Sequence, residues 1–214
     1  MIDDLIKANE YVISKIKENN EVILEMEEYA KEHNVPIVTK EVAEYLKFMI
    51  KSNKSKNILE VGTAIGYSGS VMLQGNEDVT ITTIEIDEDR YNEARVNFEK
   101  MGYSSRVNQI LGDALVEIPK LDDTFDFIFI DAAKGKYMDF YKDSYKLLKK
   151  DGIIFIDNIM FRGYLYNEYP KRFKTIVRKL NEFIEYLHEN EDFVLLPFGD
   201  GIGLVYNRGD KKHK

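Results

Sequence analysis

The chain has 214 residues, of which 44% are apolar and 32% charged, as is typical of a globular α/β protein with a sizeable core. It has no cysteine, which excludes disulfides, thiolate metal sites and a cysteine nucleophile, and its three histidines (His33, His188 and His213) lack zinc-ligand spacing. The net charge of −8 argues against non-specific nucleic-acid binding by the chain as a whole, although residues 161–180 hold six bases and one acid.

The N-terminal quarter carries helical patterns. Apolar residues recur at helical spacing in residues 2–18 and 20–33, Pro36 ends that pattern, and Thr39 can cap a third helix through about Lys51. The acidic start MIDDLIKANE has no long apolar stretch, so we expect neither a signal peptide nor a membrane span, and a cytoplasmic protein.

Strand and helix patterns alternate from Asn57 onward. Predicted strands are 57–62, 79–87, 106–113, 125–131 and 152–158, and predicted helices are 67–73, 88–101, 135–149 and 171–188. Two further strands flank Gly199-Asp200-Gly201 as a hairpin. Continuous apolar strands joined by helices indicate a mostly parallel α/β sheet with helices on both faces. We therefore predict one domain over residues 1–214, with N-terminal helices in 1–52 and an α/β core in 57–208.

The loop LEVGTAIGYSG, residues 59–69, indicates a ligand site at the first strand. Its glycines do not have the G-x-G-x-x-G spacing of dinucleotide sites, and no phosphate-loop lysine follows. Glu60 before Gly62 would repel a pyrophosphate and suits a ligand amine, while Glu85 after the second strand suits ribose hydroxyls. With Gly112-Asp113 after the third strand, these features favour S-adenosylmethionine, and the alternative is a turn whose glycines serve packing only.

Polar side chains also follow the fourth and fifth strands. Asp131 ends FDFIFID, and Asp157 and Asn158 end GIIFIDN. If these strands are neighbours, three oxygen-bearing side chains meet at one edge and suit Mg²⁺ or another hard divalent cation. Lys134, three residues after Asp131, could then act as a general base. The alternatives are helix capping for the three polar residues and a solvated surface position for the lysine.

The motifs together resemble a known family. LEVGTAIGYS, TIEIDEDRYNEARVNFEKMGY, ILGDAL, FIDAAKGKY and IDNIMFRG are similar to the successive motifs of the cation-dependent class I O-methyltransferases, which include the catechol and caffeoyl-CoA enzymes. The similarity covers about residues 36–206. The short chain, the acidic N-terminal helices and the RG before a basic helix most resemble the bacterial tRNA 5-hydroxyuridine methyltransferases.

The resemblance implies a Rossmann-like seven-stranded methyltransferase sheet with an antiparallel C-terminal hairpin, and a homodimer. It implies Mg²⁺ on Asp131, Asp157 and Asn158, with Lys134 as base. For S-adenosylmethionine it implies ribose on Glu85, adenine near Asp113 and Ala114, and the methionine end near Val38, Ser68 and Asp131. The acidic substrate ligand of the catechol enzymes is expected to be missing, because the turn FGDGIG looks too short to supply it.

The implied reaction is methylation of 5-hydroxyuridine at the tRNA wobble position to 5-methoxyuridine. The bases Arg162, Lys171, Arg172, Lys174 and Arg178 could hold phosphates of the anticodon loop, or form only a solvated helix face. One alternative function is methylation of a small catechol or phenylpropanoid. More remote alternatives are a nicotinamide-dependent oxidoreductase, which the missing G-x-G-x-x-G disfavours, and a non-catalytic RNA-binding domain, which would need no metal site.

Overall fold

A seven-stranded sheet forms the centre of the fold in a computed structural model, which describes residues 2–209 and side chains from Lys7 onward. The strands are β1 (Asn57–Val61), β2 (Thr80–Glu85), β3 (Val107–Leu111), β4 (Phe125–Ile130), β5 (Leu148–Ile156), β6 (Asp192–Leu196) and β7 (Ile202–Tyr206). Their order is β3-β2-β1-β4-β5-β7-β6; β1 to β5 run parallel, and β7 is antiparallel to both neighbours. The predicted fold class is confirmed.

Eight α-helices cover the two faces of the sheet in the described part of the chain. They are α1 (Ile2–Lys15), α2 (Glu21–His33), α3 (Lys40–Ser52), α4 (Tyr67–Gln74), α5 (Glu88–Lys100), α6 (Ala114–Glu117), α7 (Tyr137–Tyr145) and α8 (Lys174–Asn190). None of the helices in residues 2–209 is both long and apolar enough to cross a membrane.

The alternation of side chains along the strands divides the core into two layers. In β4, Phe127 and Phe129 pack with α2 to α5, whereas Ile128 and Ile130 face the opposite layer with α7 and α8. All four side chains are completely buried. A strand buried on both faces explains why FDFIFI reads as an uninterrupted apolar run rather than as an alternating one.

The helix predicted for residues 135–149 is shorter in the structure, and this prediction is wrong at both ends. Residues Lys134–Lys136 form a 3₁₀ turn, α7 ends at Tyr145, and β5 begins at Leu148 rather than at residue 152. Leu148 pairs with Phe125 across an irregularity in the β4–β5 register. The polar stretch before Gly152 hid this pairing, since an apolar pattern detects only the buried half of the strand.

Two other helices differ by a few residues from their predicted bounds. The first was expected to reach residue 18 and ends at Lys15, and the last begins at Lys174 after a 3₁₀ turn at Lys171–Phe173. Differences of this size are common at helix ends, where the final turn frays or tightens.

Asp126 fastens the start of β4 to its neighbours. Its Oδ2 accepts hydrogen bonds from the backbone N–H groups of Lys56 (3.0 Å) and Asn57 (2.9 Å), and its Oδ1 lies 2.9 Å from Lys149 Nζ. One carboxylate therefore serves the N-terminal end of β1 and the irregular part of β5.

Asp126→Ala should lower the free energy of unfolding by about 2 kcal/mol, because two backbone donors lose their acceptor and Lys149 loses its partner. Urea unfolding monitored by circular dichroism measures the change. Asp78→Ala removes only the exposed 3.8 Å pair with Lys56 and should cost less than about 0.5 kcal/mol. Equal losses in the two variants would show that Asp126 has no special role.

Candidate active site

A cavity of about 660 Å³ lies at the carboxyl ends of the parallel strands. Residues at or just after the carboxyl end of each of the first five strands line it, and so does the β6–β7 turn. The lining residues at these six places include Gly62, Glu85, Asp113, Asp131, Asn158 and Asp200. Ligands bind at this edge in open α/β sheets, and the volume is in the range of small-molecule sites.

The first loop approaches β4 closely at Gly62. Its φ is 102°, and a methyl group there would lie 2.1 Å from the carbonyl oxygen of Asp131. Only glycine has both the conformation and the space. The close backbone approach expected from LEVGTAIGYSG is therefore present, and it joins the first loop to the residue that follows β4.

Glu85 is held in place at the end of β2. Its Oε2 accepts a hydrogen bond from the N–H of Ala64 (2.8 Å), and its Oε1 accepts from the N–H groups of Ile86 (2.9 Å) and Asp87 (3.0 Å). The carboxylate lines the cavity although the residue is almost buried. Three backbone donors fix its direction and leave lone pairs for ligand hydroxyls.

Glu60 does not line the cavity, which corrects its expected place beside a ligand amine. It is fully buried and accepts hydrogen bonds from the hydroxyls of Ser68 (2.5 Å) and Thr83 (2.6 Å). Thr83 Oγ1 lies 2.5 Å from Thr63 Oγ1. Ser68 and Thr63 line the cavity, so Glu60 supports the ligand wall from beneath. Burial raises the pKa of Glu60 to about 7, although the hydrogen bonds from the two hydroxyls lower it.

The other residues expected to contact the cofactor lie in the cavity wall. Val38, Ser68, Asp113 and Ala114 all line it. Asp113 also caps α6, since its Oδ1 accepts a hydrogen bond from the N–H of Leu115 at 2.9 Å. Asp113 therefore caps α6 and lines the cavity at the same time.

The three polar side chains after β4 and β5 meet, as the strand order predicts. Nδ2 of Asn158 donates to Asp131 Oδ1 (3.0 Å) and Asp157 Oδ2 (3.1 Å). Asn158 has a φ of 56°, which turns its amide back toward both carboxylates. Within the described chain no cluster of three or more His, Cys, Asp or Glu side chains could hold a metal ion, and this group has two carboxylates and one amide.

Asp157 is the most deeply buried member of this group. Burial and the charge of Asp131 raise its pKa to about 7, while the N–H of Asn158 and the charge of Lys134 oppose the shift. Its backbone carbonyl accepts a hydrogen bond from the hydroxyl of Tyr137 at 2.8 Å. A nearby positive charge would stabilise the ionised form of such a carboxyl group, and a hard cation would supply that charge.

Lys134 stands beside this group rather than in open solvent. Its Nζ lies 3.9 Å from Asp131 Oδ1 and 5.9 Å from the ring centre of Tyr137, and its side chain is 22% exposed. Lys134 also lines the cavity. The alternative interpretation, that Lys134 is a solvated surface lysine, is therefore wrong.

Asp200 corrects the expectation that the hairpin turn supplies no acid to the site. Both of its carboxylate oxygens accept hydrogen bonds from the N–H of Arg162 (2.6 and 2.7 Å), and the residue lines the cavity. Burial raises the pKa of Asp200, which the N–H of Arg162 and the charge of Lys134 oppose. The turn is short, but the backbone pairs of Ile159 with Gly201 and of Met160 with Asp200 bring it to the end of β5.

The bases predicted to hold RNA fall into different settings. Arg162 lines the cavity, and Lys171, Arg172 and Lys174 are exposed at the start of α8. Arg178 is paired with Glu182 at 2.6 Å. Two cavity bases, Arg90 and Lys136, escaped the sequence analysis because neither lies in a distinctive motif.

One wall of the cavity comes from the N-terminal helices. Glu27 on α2 accepts a hydrogen bond from the hydroxyl of Tyr67 (2.9 Å) on α4 and forms an ion pair with Lys40 (2.6 Å) on α3. Tyr67 and the α2–α3 connection at 36–38 both line the cavity. Helices outside the sheet thus belong to the site.

The fold and this cavity define an α/β enzyme that binds a small molecule at the carboxyl edge of its sheet. The model of the O-methyltransferase family matches residues 13–208. A caffeoyl-CoA O-methyltransferase of Stellaria longipes is 34% identical over 170 residues, which are 73% of this chain and 70% of that protein. Tapetum-specific methyltransferase 1 of Arabidopsis thaliana is 31% identical over 199 residues, covering 88% and 84% of the two chains.

A solved structure indicates the same family as these sequence relatives. The SAH-bound methyltransferase PaMTH1 of Podospora anserina superposes with a TM-score of 0.85 at 26% identity, covering 95% of this chain and 94% of that one. The chain therefore belongs to the O-methyltransferase family. It is an S-adenosylmethionine-dependent O-methyltransferase of the caffeoyl-CoA type.

The buried Glu60 carboxyl should make stability depend on pH. An unfolded glutamate ionises near pH 4.5, whereas folded Glu60 keeps its proton to about pH 7. The folded state thus binds the extra proton in this window, so the contribution of Glu60 to the free energy of unfolding should fall by about 3 kcal/mol between these pH values and level off above them.

Glu60→Gln should remove the part of the slope that Glu60 contributes, as measured by urea unfolding at several pH values, while the part that comes from Asp157, whose pKa is also raised to about 7, should remain. Glu99→Gln, an exposed change on α5, should leave the profile parallel to that of the native protein. A slope that is as steep in Glu60→Gln as in the native protein would show that Glu60 does not contribute to it.

Proposed function

We propose that this methyltransferase is Mg²⁺-dependent and acts on a hydroxyl whose neighbouring carbon also bears an oxygen. The observation that carries the proposal is the convergence of Asp131 and Asn158, which line the cavity beside Lys134, with the buried carboxylate of Asp157. As acceptor we propose 5-hydroxyuridine at the tRNA wobble position, whose O5 and O4 form such a pair.

The donor set fits a hard divalent cation. Two carboxylates and one amide oxygen are ligands that Mg²⁺ accepts, and rotation of the Asn158 amide by half a turn presents its oxygen in place of Nδ2. Asp131, Asp157 and Asn158 would hold the ion. Bound there, it would chelate both substrate oxygens and lower the pKa of the reacting hydroxyl.

The chain's own residues supply orientation and proton transfer. Lys134 would take the hydroxyl proton on Nζ, and S-adenosylmethionine would supply the methyl group to the oxygen as its sulfur–methyl bond breaks and S-adenosylhomocysteine leaves. Glu85 would accept hydrogen bonds from the ribose hydroxyls of S-adenosylmethionine. Asp113 and Ala114 would hold the adenine, while Val38, Ser68 and Asp131 would hold the methionine end.

The tRNA assignment is supported by basic residues in the cavity wall and at the start of α8. Arg162, Lys171, Arg172 and Lys174 form no ion pair within residues 2–209, unlike Arg178. Basic side chains that form no ion pair, in a chain of net charge −8, favour a polyanionic partner at this place. The homodimer stays a prediction from the resemblance, and the cytoplasmic location stays a prediction from the acidic N-terminal sequence.

A small catechol-type acceptor is the second candidate, and Asp200 favours it. The position of this carboxylate in the cavity supplies the acidic group that was expected to be missing. Relatives named caffeoyl-CoA O-methyltransferases point the same way, and the phosphates of a coenzyme A thioester could use the same bases.

The wild-type enzyme distinguishes the two acceptors. Labelled S-adenosylmethionine and Mg²⁺ are incubated with tRNA that carries 5-hydroxyuridine, with tRNA that lacks this hydroxyl, and with a panel of catechols and caffeoyl-CoA. We expect incorporation into the hydroxylated tRNA alone or at the highest kcat/KM. Label that enters the small acceptors and not tRNA would establish the second candidate instead.

Asp157→Ala should reduce Mg²⁺-dependent methyl transfer by about 100-fold or more, because the cation would lose its most deeply buried ligand. Affinity for S-adenosylmethionine, measured by calorimetry, reports whether the cavity stays intact. Asp143→Ala, a change outside the cavity on α7, is the matched control. A transfer rate that Asp157→Ala leaves unchanged would refute the metal assignment.

A further inference from the structure

The segment of residues 161–170, FRGYLYNEYP, leaves the active site and returns to α8 with aromatic rings exposed. We propose that it is a stacking platform for the unpaired bases of an RNA loop, with Tyr166 as its principal ring. This inference rests on the proposed tRNA substrate and identifies the surface that would hold the nucleotides beside the target base.

Packed aromatic rings fix the segment at both ends. Phe161 is 8% exposed, and its ring centre lies 5.4 Å from that of Tyr164 and 5.3 Å from that of Phe173. Phe161 also lines the cavity. The segment is therefore anchored on the active site at one end and on the first turn before α8 at the other.

The backbone between these anchors follows a defined turn. Phe161, Arg162 and Gly163 have φ values of 47°, 57° and 72°, and Asp200 accepts hydrogen bonds from the N–H of Arg162. The N–H groups of Tyr166 (3.2 Å) and Asn167 (3.0 Å) both donate to the carbonyl of Gly163. A surface ordered before binding loses less conformational entropy when a ligand arrives.

Tyr166 lies over this turn with most of its ring in solvent. It is 70% exposed, and a methyl group on Gly163 would lie 3.1 Å from its hydroxyl oxygen. Tyr169, three residues on, is 39% exposed. A lone exposed tyrosine needs no explanation, but here the ring lies against Gly163, one residue after Arg162, which lines the cavity.

Charge completes the match to single-stranded nucleic acid. Arg162 precedes the turn, and Lys171 and Arg172 follow it, while Glu168 is the one acid between them. Exposed aromatic rings can stack on nucleobases, and flanking Arg and Lys side chains that form no ion pair can attract phosphates. A target uridine that enters the cavity must leave its stack, so a neighbouring base loses a partner that Tyr166 would replace.

Replacement of Tyr166 tests the platform. The probe is an anticodon stem-loop RNA with 5-hydroxyuridine in its loop, and the readout is its Kd by fluorescence anisotropy. Tyr166→Ala should weaken binding roughly 10-fold, whereas Tyr166→Phe should bind like the wild type, because stacking needs the ring and not the hydroxyl. Tyr11→Ala on α1, 65% exposed in the native chain, is the matched control and should have no effect.

Salt dependence separates stacking from charge. Tyr166→Ala should leave the slope of log Kd against log salt concentration unchanged, while Lys171→Ala combined with Arg172→Ala should reduce it. Affinity for S-adenosylmethionine should be the same in all variants, which shows that the fold is retained.

The outcomes distinguish this inference from the function on which it rests. If the wild type methylates the RNA but Tyr166→Ala binds it as tightly as Tyr11→Ala does, the platform is refuted and the tRNA assignment stands. If the wild type neither binds nor methylates the RNA, the tRNA assignment fails and the platform fails with it.

Discussion

The parallel pairing of β4 with β5 is the constraint on which the active site depends. The register sets Ile130 beside Ile156, so the residues that follow, Asp131 and Asp157, leave the sheet at the same level. Two carboxylates brought together in a buried place repel each other and cost free energy. The left-handed conformation of Asn158 returns its amide to both of them, and Gly62 lets the first loop close against the same point.

The two layers of the protein contribute different halves of the site. The layer with α2 to α5 holds the first loop, with Glu60 as a buried support beneath Ser68 and Thr63. The opposite layer, with α7 and α8, holds Lys134 and the segment that begins at Phe161. In the proposed reaction, the donor and the acceptor of the methyl group therefore meet across the sheet edge. Changes in acceptor-side loops can alter substrate choice while the cofactor side remains unchanged.

The sequence predicted most of this arrangement, because the strands that build the site are buried on both faces and leave long apolar runs such as FDFIFI. It located Asp131, Asp157 and Asn158 for the same reason. The sequence did not predict the positions of side chains that depend on contacts between distant parts of the chain. Glu60 shares a strand face with Ile58, and this alternation was the available sign that it points into a helix-covered layer. Asp200 gave no such sign, since only the pairing of its turn with the end of β5 brings it to the cavity.

The bridge from Glu27 to Tyr67 and Lys40 couples ligand binding to the mobility of the N-terminal helices. Because α2, α3 and α4 share this one carboxylate, the wall at 36–38 cannot swing away without breaking a hydrogen bond and an ion pair. Any ligand that contacts this wall binds the closed arrangement more tightly than the open one, and by linkage it must suppress local opening. Amide hydrogens of α2, far along the chain from the reacting groups, would then exchange more slowly when the cavity is filled.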